Sequence, residues 1–121
     1  MKSCTLLIVE DDLSTRKWEE VYFNESDFTF AFASTAKEAL EKLEKKNYDY
    51  VITDVMLPIT TGLDLAHLVA EGHPQTKVIL CSAISEFDAY KNYPDTIGYI
   101  EKPIYPYKVL ELIEEYEVAH A

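Results

Sequence analysis

Short runs of mostly apolar residues, each stopped abruptly by a polar one, recur along this chain and restrict its fold more than any other feature. Leu6-Leu7-Ile8-Val9 ends at Glu10-Asp11-Asp12, and Tyr50-Val51-Ile52-Thr53 ends at Asp54. Val78-Ile79-Leu80-Cys81 ends at Ser82, and Ile97 to Ile100 ends near Lys102. Continuous runs of this length fit strands buried on both faces. Phe28-Thr29-Phe30-Ala31-Phe32 alternates and is rich in aromatics, so it reads as a further strand, second in chain order.

Helical patterns separate these runs. Trp18, Val21 and Tyr22 fall at helix spacing after the first run. Thr35 and Glu38 form a capping box, and Ala36, Ala39, Leu40 and Leu43 then line one helix face. Gly62 precedes a helix carrying Leu65, Leu68 and Val69. Pro106 suits the first turn of a last helix, whose apolar residues are Val109, Leu110, Ile113 and Tyr116. Strands alternating with helices predict an α/β fold: a parallel sheet with helices on both faces. With 121 residues and no internal repeat or linker, the chain is expected to form one domain over 1–121.

In such sheets, ligands bind at the carboxyl ends of the strands. The strand-ending residues Glu10, Asp11, Asp12, Asp54, Ser82 and Lys102 therefore converge on one site. Carboxylates crowded at a sheet edge repel by a few kcal/mol at ~4 Å, and a divalent cation resolves that repulsion. Mg²⁺ is the expected ion, because it takes hard oxygen ligands and needs only one or two carboxylates. No His or Cys joins the set, which argues against zinc. A cation, an ammonium and a hydroxyl together suit a phosphoryl group in transfer, and Asp can be the nucleophile. The loop after the first strand has no glycine, so it is neither a P-loop nor a dinucleotide fingerprint.

Charge narrows the partners. Asp plus Glu number 22 against 11 Lys plus Arg, and a net charge of -11 disfavours direct nucleic-acid binding and anionic membranes. No apolar run approaches the ~20 residues of a membrane span. The start of the chain does not read as a signal peptide. Cys4 and Cys81 sit in apolar runs and read as buried free thiols. Together these predict a cytoplasmic protein.

The chain resembles the response-regulator receiver domain of two-component signalling, essentially from end to end. The resemblance rests on Leu7-Ile8-Val9-Glu10-Asp11-Asp12, Ser34-Thr35-Ala36-Lys37-Glu38-Ala39-Leu40, and Asp54-Val55-Met56-Leu57-Pro58 with Gly62. It continues through Val78-Ile79-Leu80-Cys81-Ser82-Ala83 and Gly98-Tyr99-Ile100-Glu101-Lys102-Pro103. Each stretch alone is weak, but the set in this order and spacing is highly specific. The resemblance implies a flavodoxin-like doubly wound (βα)5 sandwich with strand order 2-1-3-4-5. It makes Asp54 the phosphoacceptor, with Ser82 and Lys102 on phosphoryl oxygens. Asp11 becomes the direct Mg²⁺ ligand and Glu10 acts through water. Asp54 and the backbone carbonyl of Met56 complete the metal ligands. Tyr99 falls at the switch aromatic, and Lys102-Pro103 where a cis peptide is usual. The implied partner is a histidine kinase or histidine phosphotransfer protein, and the implied role is signalling, with assistance only to its own phosphorylation and dephosphorylation.

Some of these residues have plainer roles. Asp12 is expected only to cap the first helix. Trp18 is expected to serve helix packing, and His67, His73 and His120 to be surface residues. An alternative function is a receiver-like docking module that signals without phosphate. A phosphohydrolase with an Asp nucleophile would want a second Asp two residues on, where Met56 stands. One departure from the family stands out. The Ser82 to Lys102 segment is short by about two residues, within boundary error. Thr96-Ile97-Gly98 replaces a small Gly-Ala step, and Pro94 interrupts the fourth helix. A short or irregular helix between Ser85 and Thr96, ending at or before Tyr93, is the consequence. Switching and output-partner selection are expected along Ser85 to Tyr107, where tyrosines gather.

Overall fold

The computed structural model describes residues 4–83 and 87–121. Ten elements alternate along the chain. They are β1 (Thr5–Val9), α1 (Leu13–Asn24), β2 (Thr29–Ala33), α2 (Ala36–Lys45) and β3 (Tyr50–Asp54), followed by α3 (Gly62–Gly72), β4 (Lys77–Ser82), α4 (Phe87–Tyr90), β5 (Gly98–Glu101) and α5 (Pro106–Ala119). The strands form one parallel sheet in the order β2-β1-β3-β4-β5. The chain thus has the flavodoxin-like doubly wound fold. Among the described residues, no helix is long and apolar enough to cross a membrane.

Residue alternation along the strands divides the core into two layers. Leu7, Val9, Val51, Val78 and Leu80 face one side, where Ala39 and Leu43 of α2 and Leu65 and Val69 of α3 cover them. Leu6, Ile8, Ile52, Ile79 and Cys81 face the other, under Phe23 of α1 and Val109 and Ile113 of α5. This double burial is why the strands read as unbroken apolar runs. Both cysteines are buried and free.

Local chemistry starts the helices. Asp12 caps α1 by accepting from Thr15 N at 3.0 Å, as expected of it. Thr35 Oγ1 accepts from Glu38 N at 3.0 Å, while Glu38 reaches back to Ser34 N at 2.6 Å. The capping box therefore closes one residue earlier than its usual form. Tyr105 precedes α5 without a side-chain cap, and Pro106 opens the helix.

Some boundaries and faces differ from expectation. β2 is displaced by one residue, to Thr29–Ala33. In α1 the inward positions are Glu19 and Phe23. Trp18 is 65% exposed and stacks on Tyr22, so the expected packing role is limited to that contact. The cause is geometric: residues 18, 21 and 22 occupy the shoulder of the helix, and 19 and 23, four apart, face the sheet. His67 and His120 are exposed, but His73 is half-buried and lies 3.4 Å from Glu44. α4 has a single helical turn and ends before Tyr93, after which turns lead to Pro94 and to Asp95 at φ 67°. The early part of the expected segment, Ser85 and Glu86, lies outside the described residues.

Candidate phosphoacceptor site

Parallel pairing in register brings the ends of β1, β3 and β4 and the residue after β5 together. Val9 pairs with Thr53, Asp54 with Cys81, and Ser82 with Glu101. Val55 N donates to Cys81 O at 2.9 Å, and Lys102 N to Ser82 O at 2.8 Å, so the loops leave the sheet still tied to it. Glu10, Asp54 and Ser82 are buried at this edge, and Asp11 is exposed at its rim.

The charged groups form a connected set. The Lys102 ammonium donates to Asp54 Oδ2 at 2.6 Å and also to Glu10 Oε1. Asp54 Oδ1 accepts from Met56 N at 3.0 Å, and Glu10 Oε2 from Asp12 N at 3.1 Å. Carboxylate oxygens of Glu10, Asp11 and Asp54 lie within 4.8 Å of one another. Burial pulls the Lys102 ammonium down, but its hydrogen bonds to Asp54 and Glu10 win and hold it above the ordinary lysine range. Burial pushes the Glu10 carboxyl up, against the bond from Lys102. Three carboxylates against one ammonium leave an excess of negative charge on hard oxygen donors. That donor set fits a divalent magnesium-type ion.

Backbone shape fixes how α3 approaches the end of β3. A Cβ on Gly62 would lie 2.1 Å from the Asp54 carbonyl oxygen, so only glycine lets the start of α3 approach the end of β3 this closely. Ile59 holds φ 68° in the loop between them. The Lys102–Pro103 peptide is cis, as expected.

The structure gathers Glu10, Asp11, Asp54, Ser82 and Lys102. Met56 contributes backbone beside Asp54, and its side chain is 70% exposed. Tyr99 does not join the cluster. It lies on the α4 side of the sheet, 6% exposed, with its ring 5.8 Å from that of Tyr90. Asp12 is spent on Thr15, which donates to it from both N and Oγ1. One ionisable residue escaped sequence reasoning. Glu19 is 2% exposed on α1, and neither carboxylate oxygen has a hydrogen-bond partner among the described residues. Its spacing of four from Phe23 was the available signal.

Residues 6–114 match the response regulator receiver domain. The chain is 36% identical over 111 residues to the regulatory protein VanR of Enterococcus faecium, covering 89% of this chain and 46% of VanR. The chain spans about half the length, or less, of the first such relatives. Among solved structures it superposes on response regulator protein TrrA of Thermotoga maritima, a complex with Mg²⁺ and BeF, with a TM-score of 0.80 and 25% identity. That match covers 93% of this chain and 98% of TrrA. The chemotaxis response regulator CheY4 of Vibrio cholerae shares the fold at a TM-score of 0.79 and 22% identity, over 95% of this chain and 99% of that one. The order of the strands, the acidic edge they create and these matches agree: this chain belongs to the response regulator receiver domain family of two-component systems.

Proposed function

We propose that residues 1–121 form one receiver domain that takes a phosphoryl group onto Asp54 from a histidine kinase or a histidine phosphotransfer protein in the cytoplasm. The observation that carries this reading is the junction at the sheet edge. Asp54 is held between Lys102 and Met56 N, with Glu10 and Asp11 alongside. An Asp54 carboxylate oxygen would attack phosphorus as the phosphorus–nitrogen bond to the donor imidazole breaks, and the imidazole leaves with the bonding pair. Lys102, already within reach of an Asp54 oxygen, would neutralise charge on the transferred group. Ser82, buried at the end of β4, would offer its hydroxyl to another phosphoryl oxygen.

Glu10, Asp11, Asp54 and the carbonyl of Met56 are the residues that would hold Mg²⁺. The ion supplies positive charge that offsets the repulsion between a carboxylate and an incoming phosphoryl group. The TrrA structure, a Mg²⁺–BeF complex on the same fold, supports this assignment. Once attached, the phosphoryl group changes the charge beside Lys102 and Ser82 and shifts an existing equilibrium between two conformations. Tyr99, packed on Tyr90, is the proposed switch side chain. The chain acts as a phosphoacceptor that assists only its own phosphorylation and dephosphorylation.

Incubation with a small phosphodonor and Mg²⁺, read by intact mass, tests the proposal. One phosphoryl group, labile to hydrolysis, is expected on the natural sequence and none on Asp54→Asn. An equal adduct on Asp54→Asn would sink the assignment.

A further inference from the structure

We propose that the groove between α2 and α3 is the contact surface for a second copy of this chain, with Ile59 of each copy filling the groove of the other. The groove holds about 580 Å³, and its lining includes Lys37, Leu40, Glu44, Pro58, Ile59 and Leu68. Ile59 is the decisive residue. Its side chain is fully exposed, and its backbone holds φ 68°. A β-branched residue is strained in that left-handed region, which glycine enters readily. An exposed isoleucine also gains nothing from burial. The isolated chain thus carries at one position a residue that is unfavourable on both counts, and strain of this kind gathers where ligands are gripped. Leu68 of α3, in the same groove, is 40% exposed, so the projecting side chain and the hollow beside it form one apolar patch.

That combination selects the occupant. A patch that offers both an apolar knob and a hollow to receive one is complementary to itself, and a two-fold contact uses the same patch on both copies. The charges agree. Lys37 and Glu44 lie about two turns apart on one face of α2, on either side of Leu40. Where two α2 helices cross antiparallel at a two-fold axis beside Leu40, Lys37 of each copy meets Glu44 of the other. Both groups are accessible for this. Lys37 is exposed and makes no ion pair among the described residues. Glu44 is exposed, with His73 at 3.4 Å. A wholly basic partner suits the net charge of -11 but would set its own cations against Lys37. The same net charge makes two copies repel at long range, so the dimer is held by its apolar centre and strengthened by salt. This inference does not depend on phosphorylation of Asp54.

Sedimentation equilibrium of the unphosphorylated chain at about 0.15 M salt tests the proposal, because screening there shortens the reach of the repulsion. The natural sequence should show a concentration-dependent equilibrium between monomer and dimer. Ile59→Gly should weaken the dimer about tenfold or more, since each copy loses a side chain that the contact buries. The same variant, diluted to monomer, should melt no lower than the natural sequence, because glycine relieves the backbone at this position. Lys37→Glu and Glu44→Lys should each weaken the dimer several-fold, although they move the net charge in opposite directions. Combined in one chain, they should restore it at the natural net charge of -11. A natural chain that stays monomeric up to millimolar concentration overturns the proposal and leaves the groove to a different protein. A dimer that survives Ile59→Gly unchanged, or that the double variant fails to restore, overturns it as well.

Discussion

Glu19 and the acidic triplet show how unequal neighbouring carboxylates become once they are placed. The ordinary carboxyl value of 4.5 is raised to about 8 at Glu19, chiefly by burial. Between those values the folded state keeps a proton that the unfolded chain releases, so Glu19 erodes stability as pH rises across this window and no further above it. Glu19→Gln removes that slope. In urea unfolding it should match the natural sequence near pH 4 and exceed it near pH 9 by on the order of a few kcal/mol. An unchanged slope would refute the burial argument. Asp11 and Asp12 divide in another way. Asp11 joins the oxygen cluster, whereas Asp12 is bonded to Thr15. By calorimetric titration, Asp11→Ala should weaken Mg²⁺ binding strongly. Asp12→Ala should leave it nearly intact and lower thermal stability through the lost cap. The sequence supported the Asp12 assignment, because capping is local. For Glu19 it offered only the spacing of four from Phe23, because burial depends on what the helix packs against.

Among elements, α4 stands apart. Its one helical turn contrasts with α2, which is capped at its start and puts Ala36, Ala39 and Leu43 into the core. Pro94 and the turns around Tyr93 and Thr96 explain why the helix is not extended toward β5. Tyr90 and Tyr93 pack on the edge of the α2–α3 core layer, next to Tyr99. A short element with few packed neighbours opens at low cost. Hydrogen exchange should therefore be faster over 87–97 than in β3 or β4. With a phosphoryl mimic on Asp54, protection should change there more than in α1. A larger change in α1 would redirect the search for the switch. Element identity followed from pattern: four-residue apolar runs for strands, and three-to-four spacing for helices. The one-residue displacement of β2 arose because alternation alone does not define where pairing with β1 begins.

For the whole molecule, the sheet concentrates negative charge on one edge of an already acidic chain. Any ion that binds there preferentially in the folded state stabilises it, by about 2.7 kcal/mol at a hundredfold excess over its dissociation constant. Mg²⁺ should raise the thermal midpoint, and a chelator should reverse the rise. Sodium chloride at matched ionic strength should do less, and Asp11→Ala should lose most of the gain. Equal effects of both salts would reduce the site to general screening. The alternation of elements, the parallel sheet and the set of strand-ending residues are legible in the residues alone, because those depend on local periodicity and on rules of chain connection. The chain's resemblance to a family supplied the strand order. Beyond the local cap at Asp12, which carboxylates are spent and on what became visible in the folded layers alone. Lys102 bridges residues 92 and 48 positions away, and the buried Glu19 lines a cavity with Pro103 and Ile104, more than 80 residues on. Such distances through the chain leave no local pattern, and burial and hydrogen bonding, which set the chemistry of a carboxyl, exist only once the layers have closed.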